Sequence, residues 1–282
     1  MIKIKSPTNY NYATVKITQS RLNKGLIAIP VSLAKLFPDS NTRLHIYLDD
    51  SLTPEVKNYS SFKSTTRERR IGGMAEWFRE NKIKDGDEIV IQMIDKERSL
   101  YKIIPEHKFI VTTHEIQKKL DKAESELSAK DEIIHLAKWT GIDNKKVVLN
   151  EFLRLSNNIP HEERRYINKR SSKARENVPF NLRALLSGAY QGYCQVCNFW
   201  FLKKNNGPYF EIHHINPLLS NNPRNLIVVC ANCHRQFEYA NVRQEFNTDN
   251  WLIKVHFNNK IYPVNQIILK TKIEESFKQL HT

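Results

Sequence analysis

The chain has 282 residues, 40% apolar and 26% charged, which excludes a disordered or low-complexity protein and is long enough for two compact domains. Its formal net charge is +14 at pH 7 and its pI about 9.5, a balance that favours a polyanionic partner, with nucleic acid ahead of a membrane surface. No run approaches the roughly 18 apolar residues of a membrane span, and the amino end MIKIKSPTNYNY has no apolar signal core, so a soluble, cytoplasmic protein with no membrane partner is expected.

Residues 14–112 read as mostly strand with two helices. ATVKIT is a strand, SRLNKG a turn and LIAIP a second strand. VSLAKLF follows as a short helix closed by Pro38. RLHIYLDD and VKNYSSF are strands, and TTRERRIGG is a basic loop. MAEWFRENKI carries Met74, Trp77, Phe78 and Ile83 near helical spacing. Asp85-Gly86-Asp87 turns the chain into the alternating strand EIVIQMI, with SLYKII as its hairpin partner. This pattern suits a small β barrel with helices at its ends.

The order of LIAIPVSLAKLF, IYLDD and MAEWFRENKIKDGDEIVIQ resembles the B-three DNA-binding pseudobarrel. The resemblance covers about a third of the chain. It implies a DNA-recognition domain over residues 1–112 that grips the major groove with two arms, here Gln19–Lys24 and Ser64–Arg70. Arg21, Lys24, Arg67, Arg69 and Arg70 would then touch phosphates or base edges. Arginine's planar fork suits guanine edges, whereas lysine mainly neutralises phosphate.

Residues 113–178 read as a helical and basic linker. From THEIQKKL to IIHLAK there is no Pro or Gly, and Ile116, Leu120, Ala123 and Leu127 form one narrow apolar stripe on a single linker helix. That stripe packs on its own domain or zips against a second copy. EERRYINKRSSKAR follows as an exposed basic strap, in which Arg164, Arg165, Lys169 and Arg170 are candidate phosphate contacts. The equally plain reading is a solvated connector.

Residues 179–282 hold the chemistry. The four cysteines of the chain, Cys194, Cys197, Cys230 and Cys233, fall as two C-x-x-C pairs. Two such pairs read as one closed, structural zinc site of thiolates. NLRALLSGAYQGYCQVC leads as a helix into the first pair. PYFEIHHINPLL is a strand on which Tyr209, Glu211 and His213 alternate with Phe210, Ile212 and His214. NLIVVC is a second strand, ending at Cys230, and Cys233 is followed at once by His234 on the next helix. Residues 248–282 read as the hairpin WLIKVHF-NNK-IYPVNQIIL and a short helix.

Cys194-x-x-Cys197, His213-His214-Ile215, Asn225-Leu226 and Cys230-x-x-Cys233-His234, in that order, resemble the HNH (ββα-metal) endonucleases over about residues 183–240. The resemblance implies that His214 is the general base, that His213 and His234 hold a catalytic ion, and that Asn225 braces the loop carrying the base or reaches the metal. A neutral imidazole takes a proton from water near neutral pH, and a divalent cation relieves charge on the phosphate and the leaving oxygen. Adjacent residues on a strand point to opposite faces, which divides labour between His213 and His214. Glu238, one helical turn after His234, stands where relatives carry a ligand, and a carboxylate suits magnesium or manganese. Glu211 would orient a histidine from behind.

The expected fold class is therefore α+β: a β-rich pseudobarrel, a helical linker and a zinc-containing HNH nuclease domain. The whole resembles a type II restriction endonuclease acting on double-stranded DNA. One such site cuts one strand, so a homodimer is expected for double-strand cleavage. The alternatives are a modification-dependent DNA endonuclease and a non-catalytic zinc-containing DNA-binding regulator.

Overall fold

The computed structural model describes residues 2–3, 8–61, 68–163, 166–169, 172–175 and 177–269. The chain divides into two compact units, Met1–Lys118 with His135–Ile142, and Lys119–Ile134 with Asp143–Thr282. The class is α+β: a nearly closed β barrel, helices, and a carboxyl-terminal segment with four gathered cysteines.

In the first unit eight strands form one sheet: β1 (Ile2–Lys3), β2 (Tyr12–Lys16), β3 (Leu26–Ile29), β4 (Thr42–Leu48), β5 (Glu55–Ser61), β6 (Arg69–Gly72), β7 (Glu88–Asp95) and β8 (Leu100–Pro105). Their order is β1-β2-β7-β8-β4-β5-β6-β3, antiparallel except for the β4–β8 pair. Alternation sets the barrel interior: Ile89 and Ile91 of β7, Leu44 and Ile46 of β4, and Ile71 of β6 share one core with Phe37, Trp77 and Tyr101. Val90 and Ile104 are buried too, although they lie on the alternate positions. Phe109 stacks on Trp139 in the same unit, and the Trp139 indole N–H donates to Thr113. The SRLNKG turn is instead a helix, α1 (Gln19–Lys24), stopped by Gly25 at φ 59°. A Cβ there would lie 2.8 Å from the Ala75 Cβ at the start of α2 (Ala75–Glu80), so the left-handed cap also needs glycine's lack of side chain. VSLAKL is 3-10 rather than α. Part of the TTRERRIGG loop is strand β6.

The predicted linker helix is two helices, α3 (Glu106–Asp121) and α4 (Glu126–Thr140). The chain breaks where Ser125 Oγ accepts from the Ser128 amide, a local side-chain cap that restarts the helix. The apolar stripe stops with it: Ile116 and Leu120 are buried, but Leu127 is 71% exposed.

In the second unit α5 (Asn144–Asn158) packs on α6 (Phe180–Tyr190), with Val148 against Gly188. Arg154 ties Asp121 to the buried Glu151. Within the basic strap β9 (Tyr166–Lys169) and β10 (Ser172–Arg175) pair antiparallel. Two strands, β11 (Glu211–His214) and β12 (Leu226–Val229), pair antiparallel ahead of α7 (Ala231–Tyr239). A three-stranded sheet of β13 (Val242–Phe246), β14 (Leu252–Phe257) and β15 (Lys260–Pro263) closes the unit. Ile227, Val229, Leu252, Val255 and Phe257 make one core with Cys194, Cys230 and Cys233. The final short helix read from sequence falls, beyond residue 269, outside the described residues.

Candidate active site

The frame begins where α6 ends. Gln191 and Gly192 both take positive φ, turning the chain into the first cysteine pair. A Cβ on Gly192 would come within 2.4 Å of the Pro208 Cβ, so this close approach requires glycine. The second pair opens α7, where Cys230 caps the helix by accepting from the Cys233 amide. The four sulfurs lie within 4.8 Å of one another, and Cys197 and Cys230 Sγ are 3.7 Å apart. Tetrahedral zinc with bonds of about 2.3 Å places its sulfurs roughly 3.8 Å apart, so the group fits that ion. None of the four is in a disulfide. The hydrogen bond from the Cys233 thiol holds Cys194 well below the usual thiol range, while the same bond pushes Cys233 up and burial pushes Cys197 up.

That frame sets β11 beside α7. The His213 ring stacks 4.4 Å from Phe237 and meets the His234 ring edge-on at 5.0 Å. Burial and the charges of His234 and His214 push His213 down to about 4, so it is neutral at pH 7 with a lone pair to offer. His234 Nδ1 is hydrogen-bonded to Glu211, which also accepts from the Tyr209 hydroxyl. Burial opposes ionisation of Glu211, but those hydrogen bonds prevail and hold its carboxyl below the ordinary value. A carboxylate accepts from Nδ1–H, which leaves the lone pair of neutral His234 on Nε2. Glu238 Oε1 is 3.8 Å from that nitrogen, while its other oxygen pairs with Arg235 at 2.6 Å. Two imidazoles and a carboxylate are a donor set suited to a divalent cation. Among the described residues the four cysteines are the group of ligand atoms drawn within 4.8 Å, so His213, His234 and Glu238 are gathered less tightly.

His214 follows His213 on the strand and meets different partners. Its Nε2 is 2.9 Å from Asn221 Oδ1. The orientation of the Asn221 amide is set by its Nδ2, which donates to the Asn177 carbonyl at 3.1 Å. An amide oxygen only accepts, so His214 Nε2 carries the proton and Nδ1 holds the lone pair of the neutral ring. Asn225, buried, braces the loop between the strands. Its Nδ2 reaches the carbonyls of Asn216, Leu219 and Ser220, and its Oδ1 accepts from the Asn216 amide at 2.8 Å. Asn222 anchors the same loop on the carbonyls of Ser156 and Ile159. Asn221 and Asn222 were not singled out in the sequence. Their signal was the polar run SNNPRN before a strand, which marks any turn as readily as a positioning loop.

The basic residues meet varied fates. Arg21 pairs with Glu68 at 2.9 Å, as does Arg70, and this pairing holds Glu68 below the ordinary carboxyl range. Arg21, Glu68 and Lys16 line a cleft of about 630 Å³. Arg69 is committed to the fold: its guanidinium donates to the carbonyls of Ala34 and Pro38 and pairs with Asp39. Lys24 sits exposed in the last turn of α1. Arg67, Arg164, Arg165 and Arg170 lie outside the described residues, and of Lys169 only the backbone, in β9, is described.

Strand, strand and helix here carry adjacent histidines, a bracing asparagine and four gathered cysteines. Residues 194–238 match the HNH endonuclease family, and the chain carries an HNH endonuclease domain there. The chain is similar, at 35% identity over 60 residues, to the Type IV methyl-directed restriction enzyme EcoKMcrA of Escherichia coli (strain K12). That match covers 20% of this chain and about a fifth (22%) of the relative's length. Among solved structures, the Arabidopsis FUS3-DNA complex aligns at 12% identity and a TM-score of 0.29, over 33% of this chain and 94% of that one. No described helix is long and apolar enough to cross a membrane.

Proposed function

We propose that the protein is a site-specific endonuclease that hydrolyses phosphodiester bonds of double-stranded DNA, with His214 as general base. The observation that carries this reading is the hydrogen bond from His214 to Asn221, which fixes the ring of the residue that follows His213 on β11, while the His213 ring meets that of His234. In the reaction the His214 imidazole takes a proton from the attacking water, and Asn221 steadies the imidazolium that forms. Glu211 keeps His234 in the tautomer with Nε2 outward, and Asn225 holds the loop in place. His213, His234 and Glu238 would hold a magnesium or manganese ion, which supplies charge relief at the phosphate and leaving oxygen. The four-cysteine zinc holds the frame and takes no part in the chemistry.

The first unit acts as the DNA reader. Support comes from the charge of +14, the B-three-like sequence order and the basic α1 arm with Lys24. One site nicks one strand, so two copies act together on a duplex. A second reading, cleavage directed by base modification, is favoured by the similarity to a methyl-directed restriction enzyme. Digestion of methylated and unmethylated copies of one plasmid separates the two. Cleavage confined to the methylated copy supports modification dependence, equal cleavage supports ordinary site specificity, and cleavage of neither copy overturns both.

A further inference from the structure

Beyond the histidines, the first cysteine knuckle presents aromatic side chains to solvent in a run, Phe199-Trp200-Phe201-Leu202, each 38–54% exposed. A folded domain rarely leaves four large apolar side chains in sequence uncovered unless they meet something. Trp200 is fixed aside, stacked on Tyr193 with its indole N–H on the Gln191 carbonyl. Phe199, Phe201 and Tyr209 instead line a cleft of about 590 Å³, floored by Cys197 and Cys230 and flanked by Asn232. That volume lies in the range of small-ligand sites, roughly 300–1,000 Å³.

We propose that this cleft receives an unstacked base of the nucleic-acid strand, next to the phosphate that is cut. The proposal rests on the nuclease reading above. Three observations choose the occupant. Phe201 and Tyr209 stack 4.8 Å apart and join by the Tyr209 amide on the Phe201 carbonyl, which makes a rigid flat wall. Lys203 and Lys204 follow the aromatic run, both exposed, and there is no acidic residue from 191 to 210. Rings beside lysines form the footprint of a single strand, with bases stacked and phosphates neutralised. Lastly, the wall leads directly to the histidines, since the Tyr209 hydroxyl donates to Glu211, which accepts from His234. Asn232 at the rim offers an amide that can donate to and accept from a base edge. An apolar protein segment would have no use for the two lysines.

The test uses the full chain with its zinc and no other added metal, so that binding is read without cutting. The probe is a short single-stranded oligodeoxynucleotide carrying 2-aminopurine, whose fluorescence falls on stacking. Phe199→Leu keeps apolar volume but removes the ring. It is expected to weaken probe binding about fivefold to 100-fold and to abolish quenching, with one zinc per chain retained. Phe199→Tyr is expected to restore both. Replacing Lys203 and Lys204 by Gln is expected to flatten the salt dependence. Unchanged binding and quenching in Phe199→Leu would overturn the proposal. So would a variant that changes only self-association in sedimentation, which would assign the patch to a second copy of the chain. Plasmid nicking by the unaltered protein is scored separately. Ring-dependent binding without nicking would sink the nuclease reading and leave the base site standing; nicking with ring-independent binding would do the reverse.

Discussion

Asn225→Ala separates bracing from chemistry. The Asn225 side chain is 2% exposed, and its amide spans the loop from Asn216 to Ser220 through three donor contacts of 3.0–3.3 Å and one acceptor contact of 2.8 Å. Alanine removes all of these. Each net hydrogen bond contributes about 0.5–1.5 kcal/mol. The loop carbonyls are partly wetted and recover water, so the summed loss is about 2–4 kcal/mol. For a unit of this size 1 kcal/mol moves the melting temperature by about 2–4 °C, so a fall on the order of 10 °C is expected. Calorimetry of the zinc-loaded chain measures it, beside a nicking assay on the same preparation. Asn225→Asp keeps the acceptor for the Asn216 amide and should fall between. If Asn225→Ala melts with the unaltered protein yet loses nicking, the residue acts at the reacting atoms and the bracing account is wrong.

Asn221→Ala should lower nicking about 10- to 100-fold by freeing the His214 tautomer, with zinc content unchanged; an unaltered rate and pH profile would contradict this. Metal analysis should find one zinc per chain, lost with unfolding of the second unit on strong chelation or in Cys230→Ser. Arg69→Ala should destabilise the first unit by about 2–3 kcal/mol in urea unfolding, whereas Lys24→Ala should weaken DNA binding and leave stability alone. His213 is depressed from 6.5 to about 4, so the unfolded chain binds its proton more readily. Without added divalent ion, His213 therefore costs no stability above pH 6.5. It removes on the order of 3 kcal/mol as the pH falls to 4, seen as the difference between the unaltered protein and His213→Gln.

Spacing made the metal frame legible. Cysteines in two C-x-x-C pairs permit few geometries, and strand alternation anticipated that His213 and His214 meet different partners. The barrel was legible from alternating strands such as EIVIQMI, whose Ile89 and Ile91 enter the core. The linker misled, because helix propensity ran unbroken from 113 to 138 while Ser125 offered the backbone a competing side-chain bond. The structural part of Arg69 was not legible, because the carbonyls it holds, at Ala34 and Pro38, are more than thirty residues away in sequence. Asn221 and Asn222 escaped notice for the same reason, since their partners Asn177, Ser156 and Ile159 become neighbours only on folding.

The measurement that bears most directly on the nuclease reading is conversion of supercoiled plasmid to nicked and linear forms with magnesium or manganese, by the unaltered protein and by His214→Ala at equal zinc content. Metal-dependent cutting by the first and a loss of about 100-fold or more in the second is the expected result. No cutting by the unaltered protein under any divalent cation, or equal cutting by His214→Ala, would contradict it.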